Sequence, residues 1–196
     1  MKRQGHQTRL SEMKLVLLLV QILLLSGFQP DSPVYWEVLT REEREKVLAS
    51  EQVNPIVSDY YLERFAASDD ALTERLLDVL TTKQKDKYLR ALHFYLFNKV
   101  LVSSDGAVAE MLGPYTIKIV CEEPEFILTY LGENKSLKEA FVQSIGTEIY
   151  LSQVSTPDGQ LSLDTLKRSI LKKYTNKELI APFFQQIEAF ILQLKN

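Results

Sequence analysis

Helix-start signals return about every 14 residues through the first half of this chain: Thr40 with Glu43, Asn54 with Pro55, Ser68 ahead of Asp69 and Asp70, and Thr81 with Gln84. No other feature restricts the fold as strongly. In the Thr40 and Thr81 pairs a hydroxyl can accept from the amide three residues on. The side chain at that third residue reaches back to the first backbone N–H. Proline directly after asparagine starts a helix at no loss, because the first helical N–H has no partner in any case. Acids behind Ser68 suit the positive end of a helix dipole. The second half repeats such signals at Glu123-Pro124, at Ser136 with Glu139, at Ser162 with Asp164 after a Pro157-Asp158-Gly159 turn, and at Thr175 with Glu178.

Apolar spacing predicts helices between those starts. Leu72, Leu76, Leu77 and Leu80 fall on one helical stripe, as do Leu166, Ile170, Leu171 and Tyr174. Ile180, Phe183, Phe184, Ile187, Phe190, Ile191 and Leu194 form a longer one. The stretch from Lys87 to Val102 is apolar on nearly every side, which predicts a central helix packed on several faces. Gly113-Pro114 predicts the end of a helix begun near Ala107, and Gly132 the end of one begun at Pro124. Thr116 to Glu122 alternates like a strand but lies between two helix signals, which favours helix. Glu148 to Val154 stays open, as a helix end or an extended piece.

These readings sum to an all-α chain of about eight to ten short helices. Seven glycines and seven prolines leave little for a strand-and-turn architecture. Residues 40–196 read as one compact helical domain. An extended segment over 28–39 precedes it, in which Tyr35 and Trp36 are placed to staple the chain's start onto the domain. The even spacing of the starts also allows solenoid-like helical hairpins, although the segments share no residue-level repeat.

Residues 1–27 carry a different signature. Basic Lys2, Arg3, Arg9 and Lys14 precede an apolar run from Leu15 to Leu25, broken only by Gln21, and small Ser26 and Gly27 follow. That is the order of a secretory signal peptide. The run falls well short of the about 20 residues a spanning helix needs, so no permanent membrane anchor is expected. Met13 offers a second possible start. The stretch Leu24 to Phe28 resembles a bacterial lipoprotein cleavage signal, with Phe28 where the acylated cysteine would stand. The expectation is therefore export, to the periplasm or outside the cell, without a lipid anchor.

Charge and chemistry narrow the function classes. Taking Lys2, Arg3, Arg9, Lys14 and Glu12 from totals of 23 basic and 26 acidic residues leaves 19 basic and 25 acidic side chains. With no basic stripe, a nucleic-acid partner is not expected. Cys121 is the single cysteine, so it makes no internal disulfide and no zinc spacing, and reads as a small buried apolar side chain. His93 is the one imidazole after the leader and reads as a core histidine on the central helix. Neither a metal nor a cofactor is expected.

For acid–base catalysis the candidates are Asp105 and Glu110, in the loop-like stretch around Gly106, together with His93. Glu122, Glu123 and Glu125 are the candidate acidic binding patch. No phosphate-cradling glycine loop, dinucleotide fingerprint or nucleophile elbow is present. The expected function is an exported, non-enzymatic protein-binding domain. A periplasmic immunity protein that neutralises a basic toxin is its concrete form. The alternatives are an exported carboxylate-dependent hydrolase, and a small-molecule carrier with a cavity beside Tyr88, Phe94 and Tyr95.

Overall fold

Tyr35 and Trp36 mark the point where the folded unit begins. The computed structural model describes residues 33–155, 161–174 and 177–196, and Val34–Asn196 form one compact unit. After a 3-10 turn, Trp36–Val38, the described residues contain nine α-helices and no strand. They are α1 Arg41–Leu48, α2 Pro55–Tyr61, α3 Ala71–Leu80, α4 Lys87–Ser103, α5 Gly106–Glu122, α6 Pro124–Glu133, α7 Lys135–Ser155, α8 Leu163–Lys173 and α9 Lys177–Leu194. The leader over 1–27, the Pro157-Asp158-Gly159 turn and the Thr175 cap lie outside the described residues.

Several starts form as their side chains dictate. Thr40 Oγ1 accepts the Glu43 amide at 3.2 Å while the Glu43 carboxylate accepts the Thr40 amide at 2.8 Å, closing the reciprocal cap of α1. Asn54 Oδ1 accepts from the Ile56 amide at 3.1 Å, with Pro55 at the first helical position of α2. Ser162 caps α8 through the Thr165 amide. Asn54→Ala is expected to lower stability by about 1 kcal/mol, read as a shift of the urea midpoint at unchanged slope.

Other starts fall elsewhere. The cap of α3 is Asp70, not Ser68: its carboxylate accepts the Thr73 amide at 2.8 Å and the Ser68 hydroxyl at 2.7 Å. Thr81 starts nothing. It ends α3, its buried hydroxyl donating back to the Leu77 carbonyl at 2.8 Å. Helix α4 starts instead behind Asp86, whose carboxylate takes the amides of both Tyr88 and Leu89 at 2.8 Å. A charged acceptor for two orphan amides outcompetes the Thr81–Gln84 pair. Helix α7 likewise begins behind Asn134, which accepts from the Leu137 amide at 3.1 Å, rather than behind Ser136. Gly106 opens α5 at φ +48°, a left-handed conformation that glycine adopts without penalty.

The expected stop at Gly113-Pro114 is overturned, because α5 runs through both residues to Glu122. An interior proline costs a helix about 3 kcal/mol through its missing N–H and its clash with the preceding turn. Packing against α7 opposes that cost. A Cβ on Gly113 would stand 2.5 Å from Glu148 Oε2 and 2.7 Å from Glu148 Cβ, so the two backbones approach closely there. The Thr116 and Ser144 hydroxyls bond across the same pair of helices at 2.9 Å. Gly113→Ala should therefore destabilise by about 2 kcal/mol, overpacking outweighing the gain of about 1 kcal/mol in helix propensity. Thermal melts of this variant alone and combined with Glu148→Gly test it, the second substitution restoring part of the loss. The stretches 116–122 and 148–154 are both helical, and α6 ends at Glu133, one residue past Gly132.

The core forms around α4 and α7. Helix α7 buries Leu137, Phe141, Val142, Ile145 and Ile149, and meets α5, α9, α4 and α6. Helix α4 buries residues on several faces, as its largely apolar sequence predicts, leaving the stripe of Tyr88, Tyr95, Lys99 and Val102 half-buried to exposed. Phe94 of α4 packs edge-on to Phe126 and Tyr130 of α6. Tyr35 packs edge-on to Tyr130 at 4.7 Å, and the Tyr130 hydroxyl donates to Glu37 at 2.7 Å. These contacts pin the start of the unit to α6.

Candidate functional site

Sequence-distant residues converge around His93. His93, 3% exposed, lines a cavity of about 20 Å³ bounded by Leu80, Thr81 and Thr82 at the end of α3, Lys83 and Gln84 in the following turn, Arg90 and Phe94 on α4, and Ile119, Phe126 and Ile127 across the α5–α6 joint. Glu122 and Glu123 line it too, so the structure brings three of the sequence candidates, His93, Glu122 and Glu123, to one place. Glu123 is the joint itself, closing α5 and opening α6.

The charges at this cavity are already matched. Arg90 Nη1 meets Glu123 Oε2 at 3.0 Å, with only a tenth of the Glu123 side chain exposed, and the guanidinium lies 5.0 Å from the centre of the Phe126 ring. Lys173 of α8 reaches Glu122 at 3.6 Å. Glu125 is exposed, so of the acidic trio it alone points to solvent without an ion pair among the described residues. Both ring nitrogens of His93 are buried, the Val79 backbone approaching one of them outside strict hydrogen-bond geometry, and the buried Nε of Arg90 has no hydrogen-bond partner in the protein. Burial holds the His93 imidazole down at about 4, an effect the nearby Val79 backbone offsets only in part. A base that weak accepts protons poorly at neutral pH.

The remaining catalytic candidates are elsewhere. Asp105 precedes α5 and Glu110 sits in its first turns; both are exposed and line none of the three cavities described here. Cys121 is half-buried, and that burial pushes its thiol up, which disfavours the thiolate a nucleophile needs. The aromatics proposed to line a carrier cavity pack on other rings instead: Phe94 on Phe126 and Tyr130, and Tyr95 against Trp36. Tyr88 borders a different hollow of about 220 Å³ between α1 and α4.

A second candidate site had no sequence signal. Helices α6, α7 and α9 border a groove of about 690 Å³. Gln186, Phe190 and Gln193 recur at i, i+4 and i+7 on its α9 side, facing Lys135, Lys138, Glu139 and Gln143 of α7. Phe190 lies across Gly146, where a Cβ would come within 2.5 Å of its ring. Beyond the groove the ends of α7 and α9 lie side by side, Lys195 Nζ reaching Gln153 Oε1 at 3.4 Å, and Leu151, Val154, Leu192 and Leu194 there are exposed. Periodicity assigns its glutamines and lysines to solvent and Phe190 to the core, so neither signals a groove.

Among the described residues no three His, Cys, Asp or Glu side chains are grouped to hold a metal ion, and no helix is long and apolar enough to cross a membrane. Compared with family models, curated proteins and solved structures, the chain has no match in any of the three.

Proposed function

We propose that this chain is an exported, non-enzymatic helical domain that binds another protein along the α7–α9 groove. The observation that carries the reading is the groove itself: Phe190 among Gln143, Gln186 and Gln193, rimmed by Lys135, Lys138 and Glu139, with exposed Leu151, Val154, Leu192 and Leu194 on the helix ends beyond it. Aromatic anchors ringed by polar side chains are the usual anatomy of a protein interface. The acidic excess of the chain after residue 27 favours a partner of net positive charge, through long-range attraction. A basic toxin neutralised in the periplasm by this chain is the concrete form of the reading, with the segment 1–27 as the export signal.

Three measurements test it. Co-expression with the product of the neighbouring gene should protect an exporting host if that product is a toxin, and killing despite expression of this chain overturns the immunity reading. Positive charge at exposed groove positions, Glu139→Lys with Gln186→Lys, should weaken binding of a captured partner of net positive charge by at least tenfold while the melting temperature stays put. Unchanged affinity would place the interface elsewhere. For export, the protein recovered outside the cytoplasm should begin near Phe28; an intact Met1 or Met13 terminus there removes the signal-peptide part of the proposal.

A further inference from the structure

Among the described residues three aspartates directly precede a helix, and only one leaves its carboxylate free of the helix behind it. Asp70 accepts the Thr73 amide, and Asp86 accepts those of Tyr88 and Leu89. Asp105 is exposed, and its side chain makes no cap bond with α5. It is also followed by glycine, the one Asp-Gly pair among the described residues. Gly106 is exposed too, and no atom lies within 4 Å of where a Cβ would stand on it. Its amide is the first of α5, a donor for which the helix supplies no acceptor.

A free carboxyl beside an unhindered, unpaired amide holds an electrophile next to its nucleophile. The Gly106 nitrogen attacks Asp105 Cγ. The N–Cγ bond forms, the Cγ–OH bond breaks, and that hydroxyl leaves with the amide proton as one water, closing a succinimide ring. Water then adds back at either ring carbonyl. Addition at Cγ restores aspartate. Addition at the Asp105 backbone carbonyl breaks its bond to the Gly106 nitrogen, so the chain now runs through Cβ and Cγ and the old carbonyl carbon becomes a free carboxylate. One water leaves and one returns, and no other reactant is needed. Asp105 rests extended, at ψ 166°, so the attack requires a turn about its Cα–C bond. Little opposes that turn. The α4–α5 connector is only Ser104 and Asp105, and the Ala109 amide holds the Asp105 carbonyl at a long 3.4 Å. We infer that Asp105-Gly106 is a site of spontaneous conversion to isoaspartate in the folded chain. Conversion lengthens the connector by one methylene and removes the carbonyl that the Ala109 amide uses.

The test ages the full chain at neutral pH and physiological temperature, native and in urea. Each sample is then treated with an L-isoaspartyl methyltransferase and labelled S-adenosylmethionine, and the label is located by peptide mapping, which separates Asp105 from the Asp-Gly pair at 158–159. In the native sample the Asp105 peptide should take up label more than about tenfold faster than the Asp86 peptide, alongside a form lighter by one water. Asp105→Glu, which would have to close a larger ring, should lose that label. Label at Asp105 that appears only in urea, or no faster than at Asp86, overturns the inference.

Discussion

Phe141→Ala is expected to cost about 4 kcal/mol, the largest effect of any single substitution discussed here. The ring is fully buried at the middle of α7, between Phe94 at 6.2 Å and Phe97 at 6.0 Å on α4. Truncation removes the transfer free energy of the ring. It also leaves a cavity that flanking aromatics cannot collapse into, since Phe94 is held in turn by Phe126 and Tyr130. For a unit of this size the loss corresponds to a fall in melting temperature of about 8–16 °C. Calorimetry on the pure variant measures it, and Phe190→Ala, at a half-buried ring beside the groove, serves as the milder comparison. A loss below about 1.5 kcal/mol would mean that α4 and α7 do not form the packed centre described above.

The second large effect comes from acid. His93 is buried and neutral, with its folded-state value near 4 against an ordinary 6.5. Above pH 6.5 neither folded nor unfolded chain holds this proton, so stability is unaffected. As pH falls from 6.5 toward about 4, the unfolded ensemble takes up the proton and the folded state does not, so stability drops through that window and levels off below it. The loss amounts to about 3 kcal/mol at 1.36 kcal/mol per unit. Glu148 runs the opposite way, since burial raises its carboxyl and protonation relieves it. The informative quantity is therefore the difference between wild type and His93→Leu, measured by urea unfolding from pH 7 to pH 4. Wild type should lose about 3 kcal/mol relative to His93→Leu as the pH falls, and parallel pH curves would show that His93 is not held neutral in the folded chain.

Local chemistry was readable wherever one side chain answers a backbone group a few residues away. Thr40 with Glu43, Asn54 with Pro55, and Ser162 could be placed because the cap and the amide it satisfies are neighbours in sequence. Thr81 misled because a hydroxyl has two local outlets, and here it donates back to Leu77 while Asp86 takes the next helix. Pro114 misled for a tertiary reason: the close approach of α5 to α7 at Gly113 and Glu148 is invisible until the two helices are adjacent. The cavity draws on residues 80–84, on Arg90, His93 and Phe94, and on the α5–α6 joint, so sequence identified His93 and the patch holding Glu122 and Glu123 separately without showing that they meet. The groove was hidden because Phe190 reads as one more core residue of an apolar stripe, and only its place beside Gly146 turns it outward.

Trp36 has an optical consequence. It is the chain's single tryptophan, 1% exposed, packed edge-on to Tyr61 at 5.7 Å and with the Arg44 guanidinium 5.8 Å from its centre. Intrinsic fluorescence excited at the indole therefore reports from the short segment ahead of α1 and from nowhere else. Ellipticity, by contrast, is dominated by the nine helices. If the two signals melt together, the segment belongs to the same cooperative unit as the bundle. A red shift that comes before the loss of helix would make it a separately opening flap.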